Sequence, residues 1–484
     1  MKIVLFACNG SYSHTNLAVR CLRQALERDG FSVVIVERSL RDRREDVLEA
    51  LYRERAAVYG FSVYIWNLRE MLSLAEDIRA LLPECTTVFG GPEVSFDTER
   101  FDGCRYIDHI ITGEGEEALP LLCRAVRDGK TLPRVIAGAA SADMRHEGIY
   151  YRDGDFAAGS LLYYESSRGC PYRCAYCLSS ACGALRMKNA EETLDDLRAF
   201  SRLSPQPKVI KFVDRTFNAD RERAKRIWRA LASPEFDLRC HFEICASLLD
   251  EESFSVLSSL PAGKVQLEIG LQSTNPETLA AVSRQIEPES VLSAVRRLHA
   301  MGNLHVHLDL IAGLPYESAE RFRQSFDDAY GCADMLQLGF LKLLHGTSLR
   351  HDAEKYGYVF SSTPPYTVLS NDFITHEELY HLSEISDLLD RYANSGAFTE
   401  TLSCALRGVS SPFAFYEGLL AYLHAHDGRA IRQLSQADAY RYLYCYAAEQ
   451  RNEAEQQTLA DCLHRDFAAH ETRRFSPELL QIKK

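Results

Sequence analysis

"SSRGCPYRCAYCLSS", residues 166–180, places Cys170, Cys174 and Cys177 within eight positions, with a Gly-Cys-Pro turn at their head. The x3 and x2 spacing, just after an apolar run that reads as a strand (163–167), makes a tight thiolate loop. Structural zinc takes four ligands, commonly in two Cys-x2-Cys-type pairs, and no second pair is present. An iron–sulfur cube suits the spacing better. Three thiolates on four irons leave one iron open to a small chelating molecule. Cys182 is near enough to raise the alternative of a fourth ligand, and a thiol-rich turn without metal is the remaining reading.

The chain around this loop has 484 residues, 46% hydrophobic and 25% charged. That is material for two to four domains of about 100–200 residues each. The formal net charge of −13 argues against broad nucleic-acid binding. The opening "MKIVLFACNG" reads as a first β-strand rather than a signal peptide. No apolar run approaches the ~18 residues of a membrane span, so the expected compartment is the cytoplasm. In that compartment the fifteen cysteines are not expected to form disulfides.

Residues 1–130 alternate short β-branched strands (2–8, 31–37, 56–63, 85–90, 107–112) with helical patterns (16–29, 44–55, 67–82, 115–128). That alternation predicts an α/β domain on a parallel sheet, Rossmann-like or flavodoxin-like, which binds ligands beyond its C-terminal strand ends. Residues 131–162 form a connector with an Asp-Gly hairpin in "YYRDGDF". A second series follows over 163–350. Its strands are expected at 163–167, 208–213, 239–244, 264–270, 304–310 and 335–340, with a helix after each of the first five and two between the fourth and fifth. Six βα repeats suggest a partial, open (βα) barrel with its working face at the C-terminal strand ends. After a turn-rich linker (362–372), residues 376–395 and 411–470 read as helices, so 351–484 is expected to be a mostly helical domain. It would cap the barrel mouth, with Tyr356, Tyr366 and Phe373 within reach.

"CPYRCAYC" resembles the cluster loop of the radical S-adenosylmethionine (SAM) superfamily, whose fold is a partial (βα)6 barrel. The resemblance implies a [4Fe–4S] cluster on Cys170, Cys174 and Cys177, with SAM chelating the open iron. An external one-electron reductant of flavodoxin or ferredoxin type would then drive cleavage of SAM to a 5′-deoxyadenosyl radical. By the same resemblance Tyr176 packs beside the adenine, and Asp214 in "KFVDRTFNAD" (211–220) meets the SAM amino group unless it caps the next helix. Glu268 and Gln272 in "VQLEIGLQST" (265–274) would bond ribose hydroxyls. Gly313 in "HLDLIAGLP" (307–315) would let backbone lie against the adenine. His305 and His307 are expected to pack or to line a substrate pocket.

The loops after the strands of the first domain are "NGSYSHTNLA" (9–18), "FSVYIWN" (61–67), "GGPEVS" (90–95) and "TGEGEEAL" (112–119). No GxGxxG follows the first strand, which disfavours a dinucleotide. The pattern resembles the cobalamin-binding domain of the B12-binding radical SAM class. That implies Ser62, Tyr64, Gly90, Gly91, Gly113, Glu114 and Gly115 along the corrinoid and its nucleotide tail. Asp-x-His-x-x-Gly, which supplies an axial histidine, is not met around His14, so no histidine from this domain is expected on the cobalt. A vestigial, empty domain stays an alternative.

The resemblance implies methylation of an unactivated carbon of a small-molecule or peptide substrate. Relatives with the same parts run cyclisations and rearrangements instead. Two further alternatives are a methylthiotransferase-like enzyme, which needs a second cluster, and a non-catalytic cobalamin- or redox-sensing protein. Neither nucleic acid nor membrane is an expected partner.

Overall fold

A computed structural model describes residues 1–140, 144, 148–181, 183–449 and 451–471. Cys182 therefore lies outside the described residues. The chain divides into two compact units. One is Met1–Leu267 with Lys342–Ala353 and Phe360–Thr367, and the other is Glu268–Leu341 with Glu354–Val359 and Val368–Lys484.

The first unit opens on strands β1 (Lys2–Asn9), β2 (Ser32–Ser39), β3 (Val58–Ser62), β4 (Thr86–Gly90), β5 (His109–Gly113) and β6 (Val135–Gly138). They pair in parallel in the order β2-β1-β3-β4-β5-β6. Residues 3–9 of β1 and all of β3 are buried, as central strands covered on both faces must be. Helices α1 (Leu17–Arg28) and α4 (Gly115–Arg127) bury Val19, Leu26, Leu119 and Leu122 on one face. Helices α2 (Arg44–Arg53) and α3 (Leu68–Leu81) bury Val47, Leu51, Met71 and Ile78 on the other. This is a doubly wound sheet with its switch point between β1 and β3.

Two features of the stretch read as a connector differ from expectation. Val135–Gly138 is the sixth strand of the first sheet. The Asp-Gly site is a turn without flanking strands. Asp155 there accepts from the Arg152 backbone at 3.0 Å and clamps Arg23 at 2.6 and 2.9 Å, so its polar groups face α1 rather than a partner strand.

Then come β7 (Leu161–Tyr164), a ribbon of β8 (Ser167–Arg168) and β9 (Arg186–Met187), α5 (Ala190–Ser201), β10 (Val209–Phe212), α6 (Arg221–Leu231), β11 (Cys240–Ile244) and α7 (Glu251–Ser258). Strand β10 pairs in parallel with β7 and β11. The chain passes from the first unit to the second inside β12 (Val265–Gln272).

The second unit adds α8 (Pro276–Ala281), α9 (Pro288–His299), β13 (His305–Ala312), α10 (Ala319–Ala329) and β14 (Met335–Phe340), with β13 parallel to β14. Burial alternates strictly along β12 and β13, the mark of strands with one face packed under helices. Helix α11 (Ser348–His351) belongs to the first unit, and short strands β15 (Val359–Phe360) and β16 (Val368–Ser370) follow it. The latter falls in the stretch read as a linker. The chain ends in α12 (His376–Tyr392), α13 (Thr399–Ala405), α14 (Pro412–His426), α15 (Gln436–Ala448) and α16 (Glu453–His470). No described helix is long and apolar enough to cross a membrane.

Candidate functional site

A cavity of ≈ 870 Å³ lies within the first unit, at the C-terminal ends of β1, β3, β4 and β5. It is near the upper end of the usual range for ligand pockets. Ser62, Tyr64, Gly90, Gly91, Gly113, Glu114 and Gly115 all line it, as do Glu165, Arg168 and Arg215 from around the cysteine loop. The structure thus brings the glycine loops and the head of the cysteine loop to one space.

The glycines do different work. Gly91 has φ +117, and a Cβ there would stand 2.4 Å from the Val63 carbonyl oxygen. Gly113 has φ +71 and approaches the Gly138 carbonyl oxygen at 2.8 Å. Both are demanded by chain geometry. Gly90 is not: the nearest atom to its would-be Cβ is 3.8 Å away, so its bare backbone borders the cavity. At Gly115 the neighbour is the movable Leu22 side chain, at 3.0 Å.

Tyr64 stacks on Trp66 with ring centroids 4.4 Å apart and 8° between planes, and burial pushes its phenol pKa up. Trp66 stands half exposed in the cavity wall, a lining residue that no local motif marks. His14 also lines the cavity, with Nδ1 2.6 Å from the Tyr163 hydroxyl.

The cysteine loop runs between β8 and β9. Cys174 is buried, while Cys170, Tyr176 and Cys177 are half-buried. The Thr216 hydroxyl lies 3.6 Å from Cys170 Sγ, and Cys177 N donates to the Cys174 carbonyl at 3.1 Å. Among the described residues, no three His, Cys, Asp or Glu side chains converge on a point that one metal ion could fill. A four-iron cube spreads its thiolates over separate irons, so three cysteines that hold one need no such point. The donor set suits a cube with one free iron.

Asp214 is fully buried, and its carboxylate accepts from Ser166 N at 2.8 Å, Ser167 N at 3.0 Å and Ser166 Oγ at 2.5 Å. Burial raises its pKa against the pull of Arg223. The side chain is therefore occupied in holding the strand exit that leads to Cys170. It does not cap α6, whose cap is Asp220.

A second support comes from Lys342–Ala353. Leu349 N donates to the Ala175 carbonyl at 3.0 Å, inside the cysteine loop. Gly346 packs on the Phe96 ring, and His345 sits 3.3 Å from both Asp97 and Arg100. Tyr366 donates to buried Glu93 of the "GGPE" loop and accepts from Arg100 at 2.6 Å. The sequence puts Tyr366 within reach of the barrel mouth without placing it; in the structure it holds this loop.

Glu268 and Gln272 lie on the half-buried face of β12. Gln272 has φ +74, and its Oε1 is buried without a hydrogen-bond partner. An orphaned acceptor on a strained residue is a mark of a ligand site. His305 and His307 share the corresponding face of β13 with Asp309, their rings 4.6 Å apart. Gly313 has φ +92, and its carbonyl accepts from Tyr358 Oη and Asn371 Nδ2, each at 2.9 Å. Phe373 packs on Tyr316 at 4.6 Å, with Tyr356 6.0 Å from the same ring.

Three family models match in chain order: "B12 binding domain" over 4–123, "Radical SAM superfamily" over 164–329, and "Protein of unknown function (DUF4080)" over 354–484. The chain is 25% identical over 324 residues to the cobalamin-dependent radical SAM methyltransferase TokK of Streptomyces tokunonensis, covering 58% of this chain and 45% of that protein. It is 26% identical over 322 residues to 2-(S-pantetheinyl)-carbapenam-3-carboxylate methyltransferase of Streptantibioticus cattleyicolor, with the same 58% and 45% coverage. The chain thus spans under half the length of these curated relatives. A solved structure of the cobalamin-dependent S-adenosylmethionine radical enzyme OxsB, with aqua-cobalamin and S-adenosylmethionine bound, matches with TM-score 0.66 at 14% identity, covering 99% of this chain and 82% of that one. At that identity the likeness speaks for the fold.

Proposed function

Because the chain belongs to the B12-binding radical SAM superfamily, we propose that it uses a [4Fe–4S] cluster, SAM and cobalamin to methylate a carbon of a small molecule. The observation that carries this reading is the single cavity bounded both by the glycine loops and by Glu165 and Arg168 at the head of the cysteine loop. The activities named for TokK and the carbapenam enzyme favour methylation over rearrangement.

When bound, the cluster and cobalamin supply one-electron reduction of a sulfonium and a carrier for its methyl group. In this reading Cys170, Cys174 and Cys177 hold the cluster, and Tyr176 packs beside the adenine. Gln272 Oε1 accepts from a ribose hydroxyl, and Glu268 binds the other. The backbone at Gly313 lies against the adenine. Asp214 acts on the loop through Ser166 and Ser167. Bare backbone at Gly90, with Ser62, Tyr64, Gly91, Gly113, Glu114 and Gly115, borders the corrinoid. A low-potential protein of flavodoxin or ferredoxin type delivers the electron.

The test is anaerobic reconstitution of the full chain with iron, sulfide and hydroxocobalamin. Expected are about four irons per chain, a corrinoid spectrum, and release of 5′-deoxyadenosine with strong reductant. Cys174→Ala should lose the iron and the cleavage together. Undiminished cleavage in that variant overturns the reading, and cleavage by corrinoid-free protein removes cobalamin from it.

A further inference from the structure

We propose that Glu114 is a positioning residue for the cysteine loop: its carboxylate holds together the two arginines across which that loop closes. The inference rests on the reading that Cys170, Cys174 and Cys177 carry the cluster. It gives Glu114 a task beyond bordering the cavity.

Residues 169–185 are closed at their base by the ribbon β8–β9, which has two residue pairs: Ser167 opposite Met187 and Arg168 opposite Arg186. So short a ribbon has little stability of its own. Its second pair sets two guanidinium groups directly opposite each other on one face, where side chains start about 4.5–5.5 Å apart and like charges repel. Anions standing between them relieve that repulsion and favour closure of the ribbon.

Glu114 supplies one that reaches both. Its carboxylate lies 2.9 Å from Arg168 Nη1 and is bonded by Arg186 through both Nη atoms, at 3.2 Å from Nη1. Glu116 and Glu165 bond Arg168 as well, at 2.8 and 2.6 Å. All five side chains are less than a third exposed, which limits screening by solvent.

The backbone delivers Glu114 to this place. It stands at the N-cap of α4, yet its side chain makes no capping bond. Its carboxylate is directed instead to the two arginines. Its carbonyl oxygen would stand 1.8 Å from a Cβ on Gly138, so β6 and the "TGEGE" loop are packed backbone to backbone. The position of Glu114 is thereby set by the first sheet, and through the two arginines so is the closure of the cysteine loop.

The experiment compares wild type, Glu114→Gln, Arg186→Met and the double variant as full chains reconstituted with iron, sulfide and hydroxocobalamin. The readout is the rate of iron loss to a ferrous chelator under anaerobic conditions, with hydroxocobalamin affinity measured separately. Loss of a charge-assisted pair predicts roughly tenfold faster iron loss for Glu114→Gln. In the Arg186→Met background the same change should add less than about twofold, because contact partners are not additive. An unchanged rate in Glu114→Gln overturns the proposal whatever the corrinoid affinity does, and so do effects that multiply independently. If wild type takes up no iron, the cluster reading fails instead. Limited proteolysis of the metal-free chain then decides: faster cleavage within 169–185 in Glu114→Gln supports the positioning role, and equal cleavage overturns it.

Discussion

At the floor of the cavity, backbone packs against backbone: would-be Cβ atoms on Gly91 and Gly138 meet carbonyl oxygens at 2.4 and 1.8 Å. The cysteine loop shows one such contact, Gly169 against the Ala184 carbonyl oxygen at 2.9 Å. Apart from the hydrogen bond from Leu349 N to the Ala175 carbonyl, polar side chains hold it from outside: Arg168 and Arg186 through Glu114, and Asp214 through Ser166 and Ser167. The first mode is close to all-or-none, since backbone directly beside a strand end has little room to move aside. The second divides the task over several bonds, each worth about 0.5–3 kcal/mol and each open to pH and salt. A preformed floor therefore faces a loop whose shape can be tuned.

The comparison breaks most visibly at Gly91→Ala. The added methyl meets the Val63 backbone and also forces φ +117 on a residue with a Cβ. Strain and overpacking together should cost about 4 kcal/mol, enough to lower the urea midpoint sharply or to prevent folding. Its neighbour supplies the contrast. Gly90→Ala meets nothing closer than 3.8 Å, so its urea midpoint should stay near wild type. Equal losses at the two positions would mean that backbone contact is not what shapes the floor.

The polar mode should respond to acid. His345 lies between Asp97 and Arg100, with the Tyr366 ring at 4.9 Å, and Arg350 stacks on that same ring. Burial first, then Arg350 and Arg100, push its pKa down to about 4. The unfolded chain takes up this proton near pH 6.5, whereas the folded chain resists until about pH 4. The stability is thus present above 6.5 and lost as pH falls through that window, on the order of 2 kcal/mol. Urea midpoints taken from pH 7 to 4 should fall in wild type and fall less in His345→Asn. Parallel curves would remove His345 from the account.

Much of this was legible in the sequence because it rests on short-range pattern. Strand and helix periodicity located eleven strands within a few residues, and the Cys170–Cys177 spacing marked the loop. What escaped depends on contacts far apart in the chain. Val135–Gly138 has a weak, half-exposed pattern and becomes a strand only because β5 offers a free edge. Asp214 looked like a ligand or a cap, since nothing local shows that the backbone at Ser166 and Ser167 would claim it. Glu114 does line the cavity, as read, but its contacts with Arg168 and Arg186 escaped because those residues lie more than fifty positions away. Tyr366 could not be placed from the sequence, since its partner Glu93 is 273 residues distant.

Gly313 separates the two components that Gly91 combines. Its φ of +92 disfavours any side chain, but a Cβ there would find its nearest neighbours, Leu341 and Val368, at an ordinary 3.6 Å. The strain is also supported from outside, because Tyr358 and Asn371 fix the carbonyl that follows the unusual φ. Gly313→Ala should therefore pay for the left-handed backbone alone, about 1 kcal/mol. The chain should remain folded, with a urea midpoint only slightly below wild type. If Gly313→Ala costs as much as Gly91→Ala, the dihedral dominates at both places. The close approach to Val63 then explains nothing about the cavity floor, and its contrast with the cysteine loop reduces to a difference in backbone conformation.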